Sequence, residues 1–473
     1  MFYRPDKKSV CADIIPFYEN GEYKLFYLKD YRDIENYGEG CDWNLLTTKD
    51  LVNYQEHGTV IKRGTREEHD LYVYTGCVFK HNDLYYIFYT GHNHHLQNKP
   101  AEVVFLCTSK DFVNWEKVKD FHFSAPSWLV QNDFRDPFVF YDEEKKQFAM
   151  LLASRLKIEA PISSKGVTII AYSDNLINWE VSKDLFFDPK SYYTHECPDL
   201  FRMGSWYYLV FSEFTDRFVT TYRMSKNLYG PWITPKVNTF DGHAFYAAKS
   251  ASDGKKRYLF GWNPIKDKEQ DDNLWQWGGN IVVHEIVQAD DGLLYVKCPD
   301  SVKMSYQKEL FYKRKLIIGN VEEKNNEIIL GNNYGRSIMM NGEMPEICKI
   351  EFDFEITDEV GDFGIIIREG AYINNYYTIR FEPLFNRLSF DKWPRKERTQ
   401  HTLTDVERYC PLNINAKNHI MILAQGSVLE VYVNDKVAMG TRTFDYRGNW
   451  GIYTQSTIVK FSNMRLFDRG TSK

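Results

Sequence analysis

A short phrase, opening near a polar residue and running into apolar and aromatic ones, recurs roughly every 60 residues in the first half of the chain. It reads Ala12-Asp13-Ile14-Ile15-Pro16-Phe17, Tyr74-Thr75-Gly76-Cys77-Val78-Phe79, Arg135-Asp136-Pro137-Phe138-Val139-Phe140, Glu196-Cys197-Pro198-Asp199-Leu200-Phe201 and Phe245-Tyr246-Ala247-Ala248-Lys249-Ser250. After each comes a turn and an aromatic strand such as Tyr23-Lys24-Leu25-Phe26-Tyr27 or Tyr85-Tyr86-Ile87-Phe88-Tyr89. Later in each of the first four units comes a second phrase, as in Thr48-Lys49-Asp50-Leu51 and Ser109-Lys110-Asp111-Phe112. Four strands per unit over five units describe a five-bladed β-propeller, because equivalent positions of successive units converge only around an axis. Three phrases carry an acid, Asp13, Asp136 and Glu196, so the propeller is expected to gather three carboxyl groups from equivalent places.

The repeat stops near Lys297-Cys298-Pro299. Beyond it, short alternating strands such as Ile347-Cys348-Lys349-Ile350-Glu351-Phe352 and Leu429-Glu430-Val431-Tyr432-Val433-Asn434 suit a β-sandwich. The expected fold is therefore all-β: a propeller over 1–300 and a C-terminal sandwich over 301–473. No stretch sustains a 3.6-residue apolar period, so any helix should be short and peripheral.

Composition narrows the function. A formal charge of -6 and only short basic clusters, such as Lys255-Lys256-Arg257, argue against a nucleic-acid partner. Eight cysteines show no C-x-x-C pair and read as reduced core residues. Met1 to Lys8 has no apolar signal-like region, no long apolar run follows, and N-x-S/T is absent, so the expectation is a cytoplasmic protein without a membrane partner. Aromatic residues make up 16%, which a β-rich core largely absorbs and which also suits ligands with flat faces.

Arg135-Asp136-Pro137 and Glu196-Cys197-Pro198, with an Asp near the N-terminus and a C-terminal sandwich, resemble glycoside hydrolase family 32, the invertase and fructanase family. Trp43-Asn44-Leu45-Leu46-Thr47-Thr48-Lys49-Asp50-Leu51 is similar to a strand of that family, and Tyr74-Thr75-Gly76-Cys77 to one of its turns. In the second domain, Leu388-Ser389-Phe390-Asp391 and Glu430-Val431-Tyr432-Val433-Asn434-Asp435 look like family segments. The first motif departs: the family pattern W-M-N-D-P-N-G is replaced by Ser9-Val10-Cys11-Ala12-Asp13-Ile14-Ile15-Pro16, which keeps the acid and loses its Trp, Asn and Gly neighbours.

The resemblance implies a retaining hydrolase that releases fructose from a small β-fructofuranoside. Asp13 would be the nucleophile, Glu196 the acid/base and Asp136 a hydroxyl-binding stabiliser of the transition state. Arg135, Trp43 and Tyr74 would contact the sugar; Trp277 offers a flat face to it on composition alone, with a core or rim role as the alternative. Crowding of three acids should raise the proton affinity of at least one, expected on Glu196. No cofactor or metal is implied, the partner is a small saccharide, and a homodimer is left open. His92-Asn93-His94-His95 lacks zinc-site spacing and reads as a loop at the pocket mouth. An isolated Asp at a strand start is more often a turn residue; the ordered repeats favour chemistry here. Rival readings are a fructosyltransferase, a propeller glycosidase acting on arabinofuranosides, and a carbohydrate-binding protein without catalysis.

Overall fold

The computed structural model describes every residue except 216, 243, 244, 358–360, 371–374, 395–404 and 470–473. Its first half is five successive antiparallel sheets. Blade I runs Ser9–Glu19, Glu22–Tyr31, Asp42–Thr48 and Gln55–Ile61; blade II runs Tyr72–His81, Leu84–His92, Glu102–Ser109 and Glu116–Lys117. Blade III is Leu129–Asp142, Gln147–Leu156, Gly166–Ser173 and Glu180–Val181. Blade IV has Val219–Ser225 outside Trp206–Glu213 and His195–Met203, with a single Met224 to Ile233 bridge in place of a fourth strand. Blade V is Tyr246–Ser252, Arg257–Lys266, Trp275–Gln288 and Leu294–Lys297.

The first strands of the blades neighbour one another in the cyclic order I, II, III, IV, V and back to I, which closes a ring around an axis. Blade I is fastened to blade V by the Cys11 to Gly279 pairing and by Ile281 N donating to the Tyr3 carbonyl at 2.9 Å. The second recurring phrase is explained by a repeated turn. Thr48, Ser109 and Ser173 hydroxyls accept from backbone N–H groups two or three residues on, while Asp50, Asp111 and Asn175 cap the next two. Leu51, Phe112 and Leu176 take left-handed φ of 62°, 63° and 65° inside these turns.

After the short helix Asp300–Met304, the strands form two sheets packed face to face. Their seam is apolar, with Ile350, Phe354, Phe363, Phe381 and Trp450 all buried. The outer face of one sheet is buried as well: Met421, Leu423, Tyr432 and Ala438 join the propeller's own core. Arg442, buried at the junction, donates to the Asn263 carbonyl at 2.8 Å and to Asn280 Oδ1 at 2.7 Å. The two described α-helices, Ile34–Tyr37 and Asp300–Met304, are short, as expected, and none is long and apolar enough to cross a membrane.

Candidate active site

Every inner strand of the propeller breaks register near its start. Pairing skips from Ala12 to Ile15, Val73 to Gly76, Arg135 to Phe138, Glu196 to Asp199 and Tyr246 to Lys249, leaving two residues opposite one in each blade. These are β-bulges, which re-aim side chains at the cost of local strain. The first bulge residue is Asp13, Tyr74, Asp136, Cys197 or Ala247, and four of the five have left-handed φ: 43° at Asp13, 58° at Asp136, 52° at Cys197 and 49° at Ala247. Asp tolerates that region better than most side chains, and such strain, roughly 1–3 kcal/mol per residue, persists only where surrounding bonds hold it.

Those bonds form a belt through all five blades. Thr75 Oγ1 donates to Asp13 Oδ2 at 2.5 Å, and Asp136 N donates to Thr90 Oγ1 at 2.8 Å. Cys197 N donates to Asp136 Oδ2 at 2.8 Å, and Ala247 N to Ser212 Oγ at 2.8 Å. Trp262 Nε1 closes the circle on Asp13 Oδ1 at 3.4 Å.

The register corrects one expectation. Asp13 and Asp136 occupy equivalent places, but Glu196 stands one residue earlier, opposite Ser212 and equivalent to Arg135 and Tyr246. The longer glutamate side chain departs from regular strand, whereas the two aspartates leave from a bulge.

Asp13, Asp136, Glu196, Arg135, Tyr74 and Trp277 all line one cavity of about 490 Å³. Trp43, expected to face a sugar, does not: it is fully buried, its Nε1 donates to the Tyr74 carbonyl at 3.1 Å, and it packs on Phe26 and Tyr89. An indole sealed into the blade has no face left for a ligand, so its part is to support Tyr74.

Arg135 is the electrostatic hub. It reaches Glu196 Oε1 at 2.9 Å and Glu102 Oε2 at 3.2 Å, and pairs closely with Asp133, which Arg155 holds from the other side. Tyr246 donates to Glu196 Oε2 at 2.5 Å, so both oxygens of that carboxyl are oriented. Burial pushes the Asp13 carboxyl up to about 7, with Asp136 and Glu196 adding to the rise and the Thr75 bond opposing it. Burial likewise raises Asp136 to about 6 despite the nearby Arg135. Burial, which a sequence does not display, is the main cause of the rise at both aspartates.

Sequence reasoning also missed Thr75, Tyr246, Trp262, Glu102 and Asp133. Tyr246 holds the same register place as Arg135 and Glu196, whereas the sequence phrases put Phe245 there, one residue off. At the mouth His92 stacks on Tyr74 at 4.9 Å, and Glu39 Oε1 accepts from the Tyr72 hydroxyl at 3.1 Å and lies 2.8 Å from His95 Nε2 and 3.5 Å from His94 Nε2.

A propeller hub presenting two buried aspartates and an oriented glutamate in one cavity has the layout of a glycosidase, whose chemistry needs paired carboxyl groups. Comparison with known proteins agrees. The model for the glycosyl hydrolases family 32 N-terminal domain matches residues 13–297, and that for the family 32 C terminal matches 320–468. The chain belongs to glycosyl hydrolase family 32 and is a glycoside hydrolase. It is 22% identical to a levanbiose-producing levanase of Bacillus subtilis over 95% of this chain and 87% of that one. It is 24% identical to a sucrose-6-phosphate hydrolase of Zymomonas mobilis, over 90% and 82%. Among solved structures, fructan 1-exohydrolase IIa from Cichorium intybus superposes with a TM-score of 0.73 at 15% identity, covering 100% and 97% of the two chains. Sucrose-6-phosphate hydrolase from Lactobacillus gasseri gives 0.71 at 19% identity, over 97% and 91%.

Proposed function

We propose that this enzyme hydrolyses the glycosidic bond of a small β-fructofuranoside with retention, releasing fructose. The observation that carries the reading is the convergence of Asp13, Asp136 and Glu196 on one cavity at the propeller hub. Family membership and the fructan-, sucrose- and sucrose-phosphate-related names of the relatives support the sugar class.

Ionised Asp13 attacks the anomeric carbon of the fructosyl unit while Glu196 gives its proton to the leaving oxygen, so one C–O bond forms as the other breaks. Glu196 then takes a proton from water, whose oxygen displaces the Asp13 ester and frees fructose. Asp136 accepts from furanose hydroxyls, and Arg135 offsets the charge of the acids around it. Tyr74 and Trp277 offer flat faces to the sugar rings.

The test is chromatography of products from sucrose, sucrose 6-phosphate, inulin and levan oligosaccharides, difructose anhydrides and aryl arabinofuranosides. Free fructose is expected, with the β-anomer formed first by NMR. Cleavage of arabinofuranosides alone, or first release of the α-anomer, overturns the reading.

A further inference from the structure

Away from the catalytic cavity, three side chains of metal-ligand type meet where the propeller abuts the sandwich. Asp241 and His284 come from the propeller and Glu430 from the sandwich, and they are 2%, 0% and 0% exposed. One donor atom from each lies within 4.8 Å of the others, and none of the three lines the catalytic cavity.

Two of the three are already aimed. Asp241 Oδ1 accepts from Gly440 N at 2.6 Å and from Gly242 N, which turns Oδ2 toward His284 Nε2, 3.0 Å away. His284 Nδ1 lies 2.9 Å from the Tyr432 hydroxyl, a bond that fixes the ring and leaves Nε2 directed at the cluster. Backing of this kind, a fixed imidazole and a hydrogen-bonded carboxylate, is what orients ligands around metal ions.

The third is unanswered. Both oxygens of Glu430 are buried with no hydrogen-bond partner among the described residues. A carboxylate in that position is strongly disfavoured unless a cation or proton neutralises it. Arg408 is nearby, but its guanidinium is directed at Thr239 and at the Ala438 carbonyl. Space is kept open by Gly440: a Cβ there would stand 2.8 Å from Glu430 Oε2 and 3.2 Å from Asp241 Oδ2. A proton on Glu430 would be shared with Asp241, which stands close enough for a side-chain hydrogen bond; a cation would satisfy both carboxylates and the imidazole together, and metal content decides between the two.

We propose that Asp241, His284 and Glu430 bind one divalent transition-metal ion of the zinc class, which pins the sandwich to the propeller. One imidazole and two carboxylates suit Zn²⁺, Mn²⁺ or Fe²⁺ better than a thiolate-seeking or an all-oxygen ion. Ligand atoms on such an ion sit roughly 2.0–2.2 Å from it and so about 3.3–3.6 Å from one another, which means the Asp241–His284 pair, now 3.0 Å apart, opens slightly when the ion binds. The ion's role is structural, since its ligands are apart from the cavity.

The test uses the full chain and Zn²⁺ as probe. Elemental analysis of purified protein, and of chelator-treated protein re-equilibrated with Zn²⁺, should give one ion per chain. Zn²⁺ should raise the Tm of the chelated protein by several degrees. Glu430→Gln, which preserves shape, should lower Zn²⁺ affinity at least tenfold and abolish the Tm rise. A His94→Ala/His95→Ala variant, altered at the cavity mouth, should take up the ion normally. The proposal fails if the wild-type chain takes up no Zn²⁺. It fails equally if Zn²⁺ uptake and the Tm rise survive Glu430→Gln, or if uptake is lost in the double histidine variant instead.

Discussion

The propeller hub and the sandwich seam are made from the same kind of antiparallel strand, yet they obey opposite rules. In the seam, Phe354, Phe363 and Phe381 pack with ring centroids 5.0–5.2 Å apart, and none of the three takes a left-handed φ, since the register shifts of their strands fall elsewhere, at Glu351–Asp353 and Ile366–Glu369. At the hub every inner strand is bulged, four bulges carry left-handed residues, and two buried aspartates face a glutamate and an arginine. The seam gains its free energy from apolar area removed from water, about 25 cal/mol per Å². The hub spends stability on strain and desolvated acids, recovers part through its hydrogen-bond belt, and holds charged groups where water would otherwise scatter them. Stability and function thus reside in different places, and each can be removed separately.

The largest effect expected is on turnover. Asp13→Asn removes the proposed nucleophile while keeping size and the ability to accept from Thr75, and kcat should fall by about 10⁴-fold or more. Glu196→Gln should cost about 10²–10⁴-fold, most severely for substrates with poor leaving groups. Circular dichroism and gel filtration of both variants should match wild type. Near-normal kcat in either purified variant would remove the assignment of that residue.

The seam offers the reverse case. Phe381→Ala deletes a ring that is 1% exposed and should cost about 3–5 kcal/mol of stability, read as a lower midpoint in urea. Its kcat on fructosides, measured well below the unfolding midpoint, should stay within twofold of wild type. A large fall in kcat without a fall in stability would mean that the sandwich shapes the cavity, and the two regions could no longer be treated as separate.

How much of this was legible beforehand follows the same divide. Strand alternation and repeated turn chemistry are local, so the phrase ending at Phe17, Phe79, Phe140 and Phe201 pointed to radially arranged blades. The acids were visible because each opens such a phrase. What could not be read was register to one residue: the eye aligns Tyr74 with Arg135 and Glu196, whereas the pairing puts Val73 there and makes Tyr74 the bulge residue. Trp43 shows the other blind spot. Its motif placed it at the pocket, but which side of a strand faces a cavity depends on neighbouring blades, and here Phe26 and Tyr89 enclose it. Nor does sequence reveal desolvation, which is why the raised proton affinities of Asp13 and Asp136 had to await the fold.

The smallest effect expected is also the one that measures what the hub gives up. Asp13 titrates at about 7 in the folded chain, chiefly through burial, against 3.8 for an ordinary aspartate. Below about pH 4 the group is protonated whether folded or unfolded and contributes nothing. Between pH 4 and 7 the unfolded chain releases this proton while the folded one retains it. Stability therefore falls as pH rises, by at most about 4 kcal/mol once pH exceeds 7. Asp13→Asn is neutral throughout and escapes that loss. Its Tm should match wild type near pH 4 and exceed it by a few degrees at pH 8, the gap opening mainly across pH 5–7. Phe381→Ala, which alters no titrating group, should show a deficit independent of pH over the same range. If the Asp13→Asn gap is flat with pH, the aspartate is not held desolvated in solution, and the contrast between a costly hub and an inexpensive seam loses its electrostatic half.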